Sequence, residues 1–132
     1  MKAVFADTFF FLAALHPGDA AHGRAIRWSR ENERVRVTTA WVLTEVADAL
    51  ARDNREAFLS LHDLVRHSPL FRFIEATQGT FERGVALYGR RPDKAWSLTD
   101  CISFVVMGDE GLTEALTGDR HFEQAGFVAL LV

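Results

Sequence analysis

The sequence predicts an α/β fold of three layers, with a parallel five-stranded sheet between two helical layers. The first observation is the order of local patterns. Strand-like segments alternate with helical ones as β-αα-β-αα-β-αα-β-α-β, so helices carry the connections and the strands run parallel. The second is size and balance. The chain has 132 residues, 48% hydrophobic and 25% charged, which suits a single globular domain over residues 1–132.

Each element has a local reason. Residues 3–6 (AVFA) read as a short buried strand. An apolar helix over 8–15 ends at His16-Pro17-Gly18. Asp19 suits the cap of a helix running to about Glu31. Residues 34–38 (RVRVT) alternate as a strand does. Thr39 opens a helix through Trp41, Val42, Val46 and Leu50, and Asn54 caps the next, which Pro69 breaks. Residues 71–76 (FRFIEA) form the third strand and 77–90 a helix. After a loop at Arg91-Pro92-Asp93, Ser97 or Thr99 caps a helix through Met107, closed by glycines at 108 and 111. Residues 114–117 make the fourth strand, 120–124 a short helix, and 127–132 the fifth strand.

Composition narrows the function classes. No apolar run approaches the roughly 18 residues of a membrane span. The N-terminal stretch resembles a secretory leader, but Asp7 interrupts it and only Lys2 precedes it, so it reads as structure. Cys101 is the only cysteine, which excludes an intrachain disulfide and a cysteine zinc site. A cytoplasmic location is expected. The net charge of −3 argues against a protein held on nucleic acid by bulk charge, though not against an enzyme that touches it and lets go. No glycine-rich phosphate loop is present. Asp7-Thr8-Phe9 lacks the second Asp of a haloacid-dehalogenase-type phosphatase.

Four acids stand out by their company. Asp7 lies between a buried strand and an apolar helix. Glu45 sits among Trp41, Val42 and Ala49 at helical spacing. Asp100 opens a helix that is apolar almost all round, and Asp119 follows the fourth strand. Taken singly, each has a plain alternative. Asp7, Asp100 and Asp119 suit helix N-caps, and Glu45 suits a surface beside Asp48 and Arg52. Taken together they point to one cleft. In a sheet of order 3-2-1-4-5, strands one and four flank the switch point, where ligands of such sheets sit. Four anions gathered there repel one another and raise their pKa values unless a cation intervenes. Carboxylate-only ligation favours Mg²⁺ or Mn²⁺, and such a site serves metal-assisted attack of water on a phosphodiester.

The same residues resemble the PIN domain, and within it the small VapC-type toxins, across essentially the whole chain. Asp7-Thr8 is similar to the family's first motif, and Glu45 in TTAWVLTE to its helical Glu. Ser97-Leu98-Thr99-Asp100 matches its SLTD signature, and Thr117-Gly118-Asp119-Arg120-His121-Phe122 its T-x-D-x-x-F. The four acids are spaced 38, 55 and 19 residues apart, in the family's order. The resemblance implies a three-layer α/β/α PIN-like fold of sheet order 3-2-1-4-5. It also implies an Mg²⁺- or Mn²⁺-dependent endoribonuclease, a homodimer and a small antitoxin partner. Asp7, Glu45, Asp100 and Asp119 would be its catalytic and metal-holding residues, with Thr8, Thr99 and Thr117 as supporting hydroxyls. Phe9 departs from the pattern, standing where many members carry a small polar residue. The competing reading is a PIN-fold module that binds RNA or protein without cutting.

Other residues enter less strongly. Arg90, Arg91 and Lys94 precede the Asp100 segment and are candidates for RNA phosphate contact. Arg24, Arg27 and Arg30 read as a solvated helix face. His16, His22, His62 and His67 lack metal-ligand spacing. His121, two residues from Asp119, reads either as a substrate contact or as helix surface. Residues 9–12 and Trp28 are expected to leave apolar surface for a second copy to cover.

Overall fold

The structure, a computed structural model, describes residues 2–132. Its elements are β1 (Val4–Ala6), α1 (Thr8–Leu15), α2 (His22–Glu31), β2 (Arg36–Thr39), α3 (Ala40–Leu50), α4 (Arg55–His67), β3 (Phe71–Ile74), α5 (Gln78–Arg90), α6 (Leu98–Glu110), β4 (Glu114–Leu116), α7 (Arg120–Gln124) and β5 (Val128–Ala129). All strand pairs are parallel, in the order β3-β2-β1-β4-β5. Every residue of β1 and β2 is buried, although alternate side chains point to opposite faces. Both faces are therefore covered, as an α/β/α sandwich requires.

Helix starts follow the polar residues that announce them. Thr39, Asn54, Thr77 and Ser97 each accept a first-turn amide. Ser97 and Asp100 close a reciprocal capping box, and Gly111 ends α6 in the left-handed conformation at φ 68°. Several boundaries move: β2 runs Arg36–Thr39 rather than 34–38, β3 ends at Ile74 rather than 76, and two further shifts have a visible cause. The Asp19 carboxylate accepts from Ala21 N at 2.8 Å and shapes a turn, so α2 starts only at His22. The fifth strand shrinks to Val128–Ala129, since beyond it Leu131 N bonds back to Thr117 O at 3.0 Å.

The core gathers Phe5, Phe11, Phe122, Ile102, Met107 and Leu116 between sheet and helices. Arg36 lies inside rather than out. Its guanidinium bonds the carbonyls of Ser29, Asn32 and Arg34 and lies 4.8 Å from the Trp28 ring. That satisfies a cation whose burial lowers its pKa, and it pins the end of α2 to β2. The surface expected of residues 9–12 and Trp28 is there only in part: Phe10 and Phe11 are buried, while Phe9, Leu12 and Trp28 are partly buried against the core.

Candidate active site

Four elements bring the acids together. Asp7 follows β1 and Asp119 follows β4, and these strands are neighbours. Glu45 lies in the middle of α3, and Asp100 in the first turn of α6. All four line one open cleft, with Thr8, Phe9 and His121 among its other walls.

Asp7 stands at the N-cap position of α1 but makes no side-chain capping bond. Its carboxylate instead turns to the β4 corner, where Oδ2 accepts from Thr117 Oγ1 at 2.9 Å. That same Oγ1 accepts from the Asp119 amide at 3.0 Å, so one hydroxyl ties two acids. Asp7 is only 6% exposed and pairs with no Lys or Arg among the described residues. Burial pushes its pKa up to about 7, partly offset by the Thr117 hydroxyl, with the charges of Asp100 and Asp119 as smaller causes in the same direction. Burial, more than the mutual repulsion expected from the sequence, sets this shift.

The other three acids are each held by one oxygen. Glu45 Oε1 accepts from Thr8 Oγ1 at 2.6 Å. Asp100 Oδ2 accepts from Ser97 N at 3.0 Å and lies 2.9 Å from His121 Nδ1. Asp119 Oδ1 accepts from His121 N at 2.8 Å, capping α7. The second oxygen of each takes no hydrogen bond among the described residues. Capping and cleft-lining are thus compatible at Asp100 and Asp119, since one oxygen serves the helix and the other stays free.

Among the described residues none of the four acids pairs with Lys or Arg; His121 alone approaches Asp100 and Asp119. Donor atoms of Asp100, Asp119 and His121 lie within 4.8 Å of one another. Asp7 and Glu45 line the same cleft without joining that group of three; a carboxylate-rich cleft with no guanidinium or ammonium paired to its acids among the described residues fits a divalent cation.

The remaining site residues of the sequence reading divide. Thr8 and Thr117 hold acids, whereas the Thr99 hydroxyl makes no hydrogen bond among the described residues and Ser97 does the capping. Arg91 is bonded twice to Asp93, at 3.0 Å each. Arg90 is exposed, and neither it nor Lys94 forms an ion pair among the described residues. The helix-surface alternative for His121 gives way, because its ring turns inward to Asp100. Its proximity follows from the cap, as the His121 amide bonded to Asp119 brings the ring beside both acids. Phe9 displaces no acid. Its ring covers Gly118, where an added Cβ would lie 2.5 Å from Phe9 Cζ. His16, His22, His62 and His67 stay outside the cleft, and Cys101 is buried with a raised pKa.

Comparisons with known proteins bear on the family and the fold. Residues 4–128 match the PIN domain family. A curated relative, the 23S rRNA-specific endonuclease VapC20 of Mycobacterium tuberculosis, is 31% identical over 125 residues, 95% of each chain. The crystal structure of that protein, described as a sarcin-ricin loop cleaving toxin, superposes with a TM-score of 0.87, covering 96% of this chain and 97% of its own. The FitAcB structure from Neisseria gonorrhoeae shares the fold, with a TM-score of 0.65 at 19% identity, covering 96% and 94%. With its sheet order, its acids at the switch point and a match spanning nearly every residue, the chain belongs to the PIN domain family.

Proposed function

We propose that this protein is a metal-dependent endoribonuclease and the toxin of a toxin–antitoxin pair. The observation that carries the reading is that Asp7, Glu45, Asp100 and Asp119 line one cleft with no Lys or Arg partner among the described residues. Its support is a chain 31% identical to an rRNA-specific endonuclease along almost its full length. RNA is therefore the substrate class. A small antitoxin, a homodimer and one PIN unit over the whole chain belong to the same reading, carried from the family. No helix among the described residues is long and apolar enough to cross a membrane.

In this reading Asp7 and Asp100 are the principal holders of Mg²⁺ or Mn²⁺, with Glu45 and Asp119 completing the set directly or through water. Such an ion, when bound, lowers the pKa of a bound water and offsets charge developing on the phosphate oxygens. The chain supplies orientation. Thr117 fixes Asp7, and Thr8 fixes Glu45 toward the attacking water. His121, at 2.9 Å, fixes Asp100. These bonds hold the acids in place before substrate arrives, so little reorganisation is needed at reaction.

The test incubates metal-stripped protein with labelled RNA and labelled DNA, in chelator, Mg²⁺ or Mn²⁺. Cleavage of RNA only with metal is expected. Asp7→Asn and Asp100→Asn should each lower it by about 10³-fold or more while the fold is kept, as loss of several kcal/mol of transition-state stabilisation requires. Metal-independent cleavage, or near-wild-type cleavage by either variant, contradicts the assignment.

A further inference from the structure

Beside the carboxylate cleft runs a second groove, between the end of α5 and the segment leading into α6. Tyr88, Arg91, Lys94 and Trp96 line it. It is continuous with the acidic cleft, because Ala95 and Ser97 line both. We propose that this groove holds the unpaired nucleotides flanking the bond to be cut, with one base stacked on Tyr88 and an adjacent phosphate on Lys94. The proposal rests on the nuclease reading above and adds a subsite to it.

Three observations carry it. Tyr88 is 53% exposed, a large aromatic face that the core leaves in water. Its phenol is not required by the fold, for the Tyr88 hydroxyl makes no hydrogen bond among the described residues. Trp96, by contrast, is structural. It is 6% exposed, bonds Gln124 through Nε1 at 3.1 Å, and lies 5.1 Å from the Arg91 guanidinium. Arg91 is in turn held by Asp93. Trp96 and Arg91 thus form a braced wall, while Tyr88 and Lys94 are the groups still free to act.

Charge selects the occupant. The stretch 90–94 holds Arg90, Arg91 and Lys94 against Asp93 alone, in a protein that is otherwise net acidic. An RNA strand whose scissile phosphate lies among the acids needs a flanking phosphate met by a cation, and the groove supplies Lys94 next door. An exposed aromatic beside a cation is what sequence-tolerant binding of a single strand uses, since every base has a face to stack. A duplex hides its base faces, so the groove selects unpaired segments.

The chain contains one tyrosine, which makes the contact traceable. A fluorescent single-stranded RNA of mixed sequence is titrated with protein in chelator, where binding is read without cleavage. Tyr88→Ala should weaken binding about tenfold, and Tyr88→Phe should bind as wild type does, because the ring and not the hydroxyl does the stacking. Lys94→Ala should lower the slope of log affinity against log salt by about one. Irradiated RNA carrying 5-bromouridine should crosslink to the Tyr88 peptide.

Wild-type affinity in a folded Tyr88→Ala variant overturns the subsite, as does equal weakening by Tyr88→Phe. If wild type still cuts that RNA and Asp100→Asn does not, the nuclease reading stands without the subsite. A wild type that neither binds nor cuts RNA overturns both. A Tyr88→Ala variant that binds RNA normally but releases a co-expressed small protein overturns the subsite by assigning the groove to a protein partner.

Discussion

The corners after β1 and β4 are built alike. Each runs from a short buried strand through an aspartate at an extended N-cap position into a helix, with φ/ψ of −90°/164° at Asp7 and −80°/122° at Asp119. Their carboxylates end differently. Asp119 caps its helix and stays half-exposed, whereas Asp7 ignores its helix and is buried against Thr117. The helices explain the difference. After Thr8, α1 is apolar throughout and sinks Phe10, Phe11 and Ala13 into the core, carrying its N-cap residue below the surface. α7 has five residues and buries only Phe122, so its cap remains at the rim. Identical local grammar thus yields one acid poised by burial and one placed by capping, and the Thr117 hydroxyl joins them.

The largest expected effect that separates the corners is in the pH dependence of stability without metal. Asp7 has a folded-state pKa of about 7 against 3.8 when unfolded. A raised value means that its contribution is whole below 3.8 and is lost as pH climbs through about 7. The full shift is worth up to roughly 4 kcal/mol. Urea unfolding in chelator should therefore show wild type losing stability between pH 5 and pH 8. Asp7→Asn, which keeps an acceptor for Thr117, should flatten that loss and be the more stable protein at pH 8. Asp119→Asn should leave most of the slope. An equally flat wild-type curve, or a slope removed by Asp119→Asn instead, would reverse the assignment of the two corners.

A smaller effect tests the joint between them. Thr117→Val keeps the shape of the side chain but removes the donor to Asp7 and the acceptor for the Asp119 amide. A buried polar group left without its partner costs about 1–3 kcal/mol, so a thermal or urea measurement should show a loss of that order. Thr117→Ser should recover most of it. Combining Thr117→Val with Asp7→Asn should cost less than the sum, since the two groups share one bond. Strict additivity would mean that the hydroxyl does not couple the corners.

Much of this was legible in the sequence, and the exceptions have physical causes. Thr39, Asn54 and the box at Ser97–Asp100 were readable because a cap is decided within four residues. The acids were readable as a set because each sat in apolar company that a lone charge does not tolerate. Arg36 was not, since RVRVT alternates like a half-exposed strand, and only the carbonyls at the end of α2 and the Trp28 ring make its burial tolerable. The direction of His121 was also hidden, because it depends on α6 meeting α7 across 21 residues of chain. The apolar surface expected of residues 9–12 is smaller than the sequence suggests, because a helix apolar on nearly every side packs most of itself inside.

The smallest expected effect concerns Phe9, and it links the same two corners by packing. Gly118 lies just before Asp119, and its φ is not in the left-handed region, so its backbone does not demand glycine. Contact does. An added Cβ would stand 2.5 Å from Phe9 Cζ and 3.0 Å from both Cε atoms. The obstacle is the far end of a half-buried ring on the wall of an open cleft, so the ring can swing aside, and Gly118→Ala should cost about 1 kcal/mol, the low end for overpacking. Phe9→Ala in the same chain should relieve that cost, giving a coupling of similar size in a double-mutant cycle. A swung ring also narrows the approach to Asp7 and Glu45, so Gly118→Ala should reduce RNA cleavage more than it reduces melting temperature, and Phe9→Ala should restore it. If the two substitutions prove additive in both stability and cleavage, Phe9 and Gly118 are not a matched pair, and the β1 and β4 corners are joined by Thr117 alone.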